Sequence, residues 1–123
     1  MKKSSADTYH DLIVNEISRL AEALGYEASP KTGGEHGVDV TVTNKTGKVV
    51  YVEVETGRYP KTLLRRRKKS IAECEGLILI CPRIGIAKKH AKDLNFPEHK
   101  LYLTLPTDYK QVVPVLLHKI LEK

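Results

Sequence analysis

Two short stretches decide the fold: VDVTVT at positions 38–43 and VYVEVE at positions 50–55. In each stretch, valines alternate with other side chains. This is typical of a half-buried strand, because successive side chains of a strand point to opposite faces. The stretches are separated by the turn signal NKTG at 44–47. The pattern therefore predicts a β-hairpin.

Three acidic side chains lie in this hairpin, and Asp39, Glu53 and Glu55 are expected on the face opposite the valines. Two carboxylates on adjacent strands are able to hold one Mg²⁺ ion and leave coordination positions for water and a phosphate. Without a cation such carboxylates repel one another, so we expect a metal ion or a basic group beside them. The alternative is that the acids only line the solvent-exposed face of an edge hairpin.

The rest of the chain predicts helices and strands around the hairpin. Before it come a helix over about 6–24, a short strand at 27–29 and a glycine-containing loop at 30–34. After it come a helix from Pro60 to about 73, a strand at 77–81, a helix at about 86–94, a strand at 101–105 and a helix at about 109–121. The strand at 77–81 is apolar throughout, as in a central, parallel strand. The order α-β-β-β-α-β-α-β-α predicts a three-layer α/β fold with a mixed central sheet flanked by helices.

The composition indicates one folded domain covering residues 1–123. Of these residues 41% are hydrophobic and 29% charged, and no apolar run approaches the ~18 to 20 residues of a membrane span. The sequence begins with basic and polar residues and contains no secretion signal there, so we expect a cytoplasmic protein without membrane contact. Cys74 and Cys81 are expected to be buried free thiols, because two cysteines form neither a disulfide framework nor a zinc site.

The net charge of +6 arises from one segment, which we call the basic segment. Its seven cations are Arg58, Lys61, Arg65, Arg66, Arg67, Lys68 and Lys69. All but Arg58 lie on the helix predicted to begin at Pro60, and such a local excess is expected where a protein contacts a polyanion such as DNA. The alternative is an ordinary solvated helix face.

Taken together, these features resemble the PD-(D/E)xK nuclease superfamily, above all the archaeal Holliday-junction resolvases and Mrr-like restriction domains. The resemblance extends from about Thr8 to Leu105 and includes GVDV at 37–40 and YVEVE at 51–55. It implies a restriction-endonuclease-like fold and hydrolysis of DNA phosphodiester bonds with Mg²⁺ or Mn²⁺. It also implies a homodimer that acts on duplex or branched DNA. Few aromatic residues are present for stacking on unpaired bases, which also favours a duplex.

The resemblance assigns metal binding to Asp39 and Glu53 and a further ligand to the backbone carbonyl of Val54. An acid of the leading helix often completes such sites, and Glu16 is the nearest candidate, although it lies about 60° from the centre of the predicted apolar stripe. His10 flanks the other side of that stripe and is either an alternative ligand or an ordinary surface histidine.

One departure from the family pattern concerns catalysis, because Glu55 stands where the family has lysine. A glutamate there would ligate a second metal or act as a base, and the lysine would come from elsewhere, with Lys31, Lys48 and Lys61 as candidates that spacing does not separate. The other departure is Val38, which replaces a proline at a variable position.

Two residues of the preceding loop, Glu35 and His36, are auxiliary site candidates or ordinary loop residues. Two other classes of function remain open. One is a DNA-binding module that has the nuclease fold and no turnover. The other is a domain whose basic segment binds an acidic protein.

Overall fold

A computed structural model describes residues 5–31, 37–56 and 60–122. They form a five-stranded sheet with helices on both faces, in the order that the sequence predicts. The elements are α1 (Ser5–Ala23), β1 (Glu27–Pro30), β2 (Val40–Thr43), β3 (Val49–Val54), α2 (Pro60–Lys68), β4 (Gly76–Ile80), α3 (Ile84–Asp93), β5 (Leu101–Thr104) and α4 (Tyr109–Leu121). Two short 3₁₀ turns, Ile71–Glu73 and Glu98–Lys100, precede β4 and β5.

The sheet is mixed, with the strand order β1-β2-β3-β4-β5. The pairs β1/β2 and β2/β3 are antiparallel, whereas β3/β4 and β4/β5 are parallel. Every residue of β4 is buried, which confirms the prediction of a central strand covered on both faces. This is the predicted three-layer α/β architecture, and it is consistent with a restriction-endonuclease-like fold.

The hairpin turn fixes the register that positions the acidic residues. The Asn44 side-chain oxygen accepts hydrogen bonds from the backbone N–H groups of Thr46 (3.0 Å) and Lys48 (2.9 Å). Gly47 has a φ of 88°, a left-handed conformation that glycine adopts without strain. The resulting pair Val40↔Val52 brings the two residues beyond it, Asp39 and Glu53, face to face.

Two apolar cores lie on the two faces of the sheet. Valines of β2 and β3 pack with α1 and α4 on one face, and alternate residues of β4 pack with α2 and α3 on the other. None of the helices in the described ranges combines the length and the apolar character that a membrane crossing requires.

The buried face of α1 differs from the stripe that the sequence suggests. The recurrence of Ile13, Ile17, Leu20 and Leu24 at spacings of four, three and four predicts the stripe. Leu24 lies beyond the end of α1 and is 47% exposed, whereas Val14, Ser18 and Ala21 are buried. The buried face is thus rotated by about 60° towards His10 at 100° per residue. Because α1 ends at Ala23, Leu24 is not part of the helix, and the buried face runs through Ser18 and Ala21 instead.

The helix that carries the basic segment is shorter than predicted, because α2 ends at Lys68 and a separate 3₁₀ turn follows. The Lys100 ammonium donates hydrogen bonds to the carbonyl oxygens of Ile71 (3.1 Å) and Cys74 (2.9 Å), which stabilises the break. Cys74 and Cys81 are buried free thiols, as expected.

Candidate active site

Two carboxylates meet where β2 begins and β3 ends. The backbone N–H of Asp39 donates a hydrogen bond of 2.7 Å to Oε1 of Glu53. In turn, the N–H of Val54 donates one of 2.8 Å to Oδ2 of Asp39. Each acidic side chain therefore bonds to the backbone of the other strand, and the predicted Asp39–Glu53 pair is brought together at fixed orientation.

The residue of α1 that reaches this pair is His10. Its Nε2 lies 3.1 Å from Oδ2 of Asp39, and its Nδ1 lies 3.3 Å from Oδ1 of Asp11. The hydrogen bond to Asp39 is the largest cause that raises the pKa of His10 to about 9, with the charges of both carboxylates adding to it and burial opposing it. At neutral pH His10 is therefore an imidazolium that orients Asp39, and it points into the site rather than into solvent.

Glu53 is only 3% exposed. Burial, followed by the negative charge of Asp39, raises the pKa of Glu53 to about 7, although a hydrogen bond and nearby arginines oppose the shift. A carboxyl group that titrates near neutrality beside a second carboxylate is a common feature of functional sites.

Arg67 supplies the positive charge on the other side of Glu53. Together with Pro60 and Leu64, it forms the buried face of α2, and it is 7% exposed. Its Nε lies 3.5 Å from Oε2 of Glu53 and, within the described part of the chain, has no hydrogen-bond partner. The structure therefore places Arg67 inside, as an ion-pair partner of Glu53, and corrects the expectation that it faces DNA. The four- and three-residue spacing from Pro60 to Leu64 to Arg67 was the sequence signal for this.

The five other described cations of the basic segment are exposed. We call four of them the basic face: Lys61, Arg65, Arg66 and Lys69. Arg66 is close enough to the site for its charge to lower the pKa of Glu53. Lys68 donates a hydrogen bond to the carbonyl oxygen of Leu94, which links α2 to the chain after α3. Arg58 lies outside the described residues.

Glu16, predicted as a possible metal ligand, is not part of the cluster. Its carboxylate lies 3.2 Å from the ammonium of Lys110 on α4. It also contributes, after burial, to raising the pKa of Tyr109 to about 12. The rotation of α1 explains this, because it turns His10 towards Asp39 and Glu16 towards α4.

Glu55 lies just beyond β3, two residues after Glu53. Its N–H donates a hydrogen bond of 2.8 Å to the carbonyl oxygen of Ile80 at the end of the neighbouring parallel strand. Burial is the main cause that raises the pKa of Cys81, and the charge of Glu55 adds to it. Glu55 is thus half-buried beside β4. The two auxiliary candidates, Glu35 and His36, lie outside the described residues.

The donor set fits a hard divalent cation. Within residues 5–31, 37–56 and 60–122, no group of three or more His, Cys, Asp or Glu forms a ready-made metal cage. Mg²⁺ does not need one, because it is usually held by one or two carboxylates together with water and substrate phosphates. Asp39 and Glu53 provide two carboxylates. Burial, followed by the charge of Asp39, raises the pKa of Glu53, and a bound cation would stabilise its ionised form.

Comparisons with known proteins found similarity at the level of structure. No family model matches the chain, and no curated protein matches it. A solved structure of a repair endonuclease from Pyrococcus abyssi is similar, with 22% sequence identity and a TM-score of 0.46. The similarity covers 85% of this chain and 47% of that one, so this chain spans less than half of the endonuclease.

Proposed function

We propose that this chain is a metal-dependent endonuclease that hydrolyses phosphodiester bonds of duplex or branched DNA. The observation that carries the proposal is the pair of interlocked carboxylates, Asp39 and Glu53, at the ends of two paired strands. Arg66 of the basic face is close enough for its charge to lower the pKa of Glu53. The exposed arginine and lysine side chains of this face are suited to contact backbone phosphates.

The residues of the chain hold the two carboxylates in a fixed arrangement. Val54 and His10 both contact Oδ2 of Asp39. Glu53 is held at Oε1 by the N–H of Asp39 and approached at Oε2 by Arg67. Groups oriented before the substrate arrives need no reorganisation during the reaction. A Mg²⁺ or Mn²⁺ ion on Asp39 and Glu53 would act as a Lewis acid and lower the pKa of a bound water.

A second candidate is a DNA-binding module that does not hydrolyse its ligand. The observation in its favour is that each carboxylate already lies beside a cation of the protein, His10 for Asp39 and Arg67 for Glu53. An arrangement of this kind is also suited to a purely structural cluster. Glu55 adds to this alternative, because it stands where the resemblance has lysine.

The experiment that separates the two candidates measures cleavage and binding on the same DNA panel. Labelled duplex, single-stranded, flap and four-way-junction DNA are incubated with Mg²⁺ or Mn²⁺ and with the parent, Asp39→Ala or Glu27→Ala. Glu27 is the matched control, because it is an exposed acid of β1 at the end of the sheet away from Asp39. We expect metal-dependent cleavage by the parent and the control and none by Asp39→Ala, with DNA binding retained in all three. Tight binding without cleavage by the parent would establish the second candidate instead.

A Glu55→Lys variant sharpens the distinction. If the natural chain is an active nuclease in which Glu55 ligates a metal or acts as a base, this substitution lowers the cleavage rate. A parent that binds without cutting and a Glu55→Lys variant that cuts strongly would identify a module that lacks only its lysine.

The homodimer stays a prediction. Leu12 on α1 and Val115 on α4 are each 66% exposed, and the two helices pack together on one face of the sheet, so an apolar surface is available for self-association. Sedimentation equilibrium of the parent and of a Leu12→Glu, Val115→Glu variant tests it: a dimer that the double variant converts to a monomer supports this surface. A monomeric parent contradicts the prediction.

A further inference from the structure

The two edges of the sheet differ in how they are protected. Within the described ranges, β1 and β5 are the outermost strands. β1 contains Pro30, which has no backbone N–H to donate, and the exposed charge of Glu27, and both features hinder the addition of a further strand. β5 has the sequence LYLT, with neither a charge nor a proline. Its edge is therefore open to pairing.

The backbone groups of β5 that face outward belong to Leu101 and Leu103. The carbonyl oxygen of Thr104 accepts a hydrogen bond of 3.0 Å from the N–H of Cys81, so the backbone groups of Thr104 face β4. Successive residues of a strand direct these groups to alternate sides, so those of Leu103 and the carbonyl of Leu101 face away from β4. The N–H of Leu101 is bonded to the carbonyl oxygen of Glu98. An added strand would thus find the N–H of Leu103 and the carbonyl groups of both leucines.

An apolar groove of about 390 Å³ lies beside this edge, on the face that α3 covers. Its lining includes Leu101 and Leu103 together with Ala91 and Phe96. Both leucines are only half-buried, so apolar area remains accessible there. The residues whose backbone groups face outward are therefore also the ones whose side chains line the groove. Alternate side chains of an added strand would lie over it.

The charges around this edge are mostly positive. Lys88 and Lys92, one helical turn apart on α3, are exposed and line the groove, and Glu98 is the acid of its described lining. On the other face of β5, the ammonium of Lys119 lies 5.8 Å from the centre of the Tyr102 ring. Cations thus flank the edge on both faces of the sheet, and acidic side chains of a partner would complement them.

These features disfavour two other occupants. Two copies of the chain that pair antiparallel through β5 would have α3 on the same face, because their two-fold axis is normal to the sheet. Lys88 and Lys92 of one copy would then meet the same lysines of the other, and like charges repel. A nucleic-acid backbone would satisfy these lysines, but it has no apolar side chains to cover Leu101 and Leu103.

We propose that the β5 edge binds an extended segment of a partner protein as an additional strand. The segment has apolar side chains at alternate positions, which lie in the groove beside Leu103, and acidic residues at both ends, which lie near Lys88, Lys92 and Lys119. Main-chain hydrogen bonds to Leu101 and Leu103 provide the pairing, and the side chains provide the specificity. The strand β4 separates this edge from the carboxylates of β2 and β3, so recruitment of the partner is independent of the proposed cleavage reaction.

The first test titrates the parent with a synthetic peptide, Asp-Asp-Val-Thr-Leu-Thr-Val-Asp-Asp, with both ends blocked. Every second residue of this peptide faces the groove, so its valines and leucine lie over the apolar lining and its terminal aspartates lie near the lysines. We expect micromolar binding that weakens as salt is added. One control peptide has lysine in place of every aspartate, and another has proline in place of leucine. Both should bind at least about tenfold more weakly, because the first reverses the charge and the second cannot complete the pairing.

A charge-reversal variant tests the contribution of the groove lysines. Lys92→Glu changes an exposed residue of α3, and Lys45→Glu is its matched control, because Lys45 is an exposed lysine in the turn between β2 and β3. Reversing one exposed charge should weaken binding of the acidic peptide about three- to tenfold in Lys92→Glu. The Lys45→Glu protein should bind it like the parent.

Hydrogen exchange of the Leu103 amide detects strand addition directly, because this N–H faces away from β4. We expect it to exchange rapidly in the free protein and slowly with the acidic peptide bound, whereas the Tyr102 amide, which faces β4, is protected in both. Binding that leaves the Leu103 amide unprotected, or equal binding of the acidic and lysine peptides, would overturn the proposal. It would also be overturned by a parent that binds no peptide, or by one that dimerises and protects Leu103 without any peptide.

Discussion

The buried pair of Arg67 and Glu53 makes the stability of the fold depend on pH, and Arg67→Met isolates that dependence. The pKa of Glu53 is about 7 in the folded protein against 4.5 without perturbation. The folded state therefore holds this proton more tightly than the unfolded state, and the parent loses stability as the pH rises from 4.5 to about 7. Without the Arg67 guanidinium, the ionised form of Glu53 is disfavoured further and its pKa rises. The free energy of unfolding of the variant therefore continues to fall at higher pH.

The size of the effect follows from this linkage. Near pH 6 the Glu53 carboxyl is mostly protonated in both proteins, and the substitution changes the free energy of unfolding by about 1 kcal/mol or less through lost packing and contacts. Above pH 7 the parent no longer loses stability through Glu53, whereas the variant continues to lose about 1.4 kcal/mol per pH unit. At about pH 9 the extra cost is at most about 3 kcal/mol, which is of the order measured when one partner of a buried ion pair is removed.

Urea unfolding at about pH 6 and about pH 9, in the presence of a chelator, measures both values. His10, whose pKa is about 9, titrates equally in the parent and the variant and cancels in the comparison. Glu53→Gln is the control background, since Arg67→Met should have the same effect at both pH values when no carboxylate is present. A destabilisation by Arg67→Met that is equal at the two pH values in the natural background would refute the reasoning.

Three further predictions test other parts of the structure. The contact of His10 with Asp39 contributes stability that is fully present below pH 6.5 and lost as the pH rises through about 9. The difference in free energy of unfolding between the parent and His10→Gln should therefore shrink over that interval. A constant difference in urea unfolding contradicts this. Arg65→Ala and Arg66→Ala should each lower the log-log salt slope of DNA binding by about 1, and unchanged slopes would place the DNA elsewhere. Ile78→Ala, fully buried in β4, should cost about 2 to 5 kcal/mol in urea unfolding, against less than about 0.5 kcal/mol for Val115→Ala on the surface; equal costs would contradict the described core.

The architecture could be predicted from the sequence because its signals are local. The two-residue period at 38–43 and 50–55, with a turn signal between them, predicts both the hairpin and the alignment of Asp39 with Glu53. The unbroken apolar run at 77–81 predicts the central strand for the same reason. These patterns depend on which face each side chain occupies, and a strand determines that by simple alternation.

The partners of the two carboxylates could not be predicted in the same way, since they depend on packing between distant parts of the chain. On α1, the spacing of the apolar side chains favours a face through Leu24. The buried face runs through Ser18 and Ala21 instead, and His10 on that side contacts Asp39. In the basic segment, five consecutive cations look alike in sequence. Only the side of α2 that meets the sheet separates buried Arg67 from its exposed neighbours.

The central claim is that Asp39 and Glu53 together bind a divalent cation. Calorimetric titration of Mn²⁺ into the parent, Asp39→Asn, Glu53→Gln and the control Glu27→Gln tests it most directly. The account predicts one saturable site in the parent and in the control, and its loss in both site variants. Equal Mn²⁺ binding by all four proteins, or none by the folded parent, would contradict it.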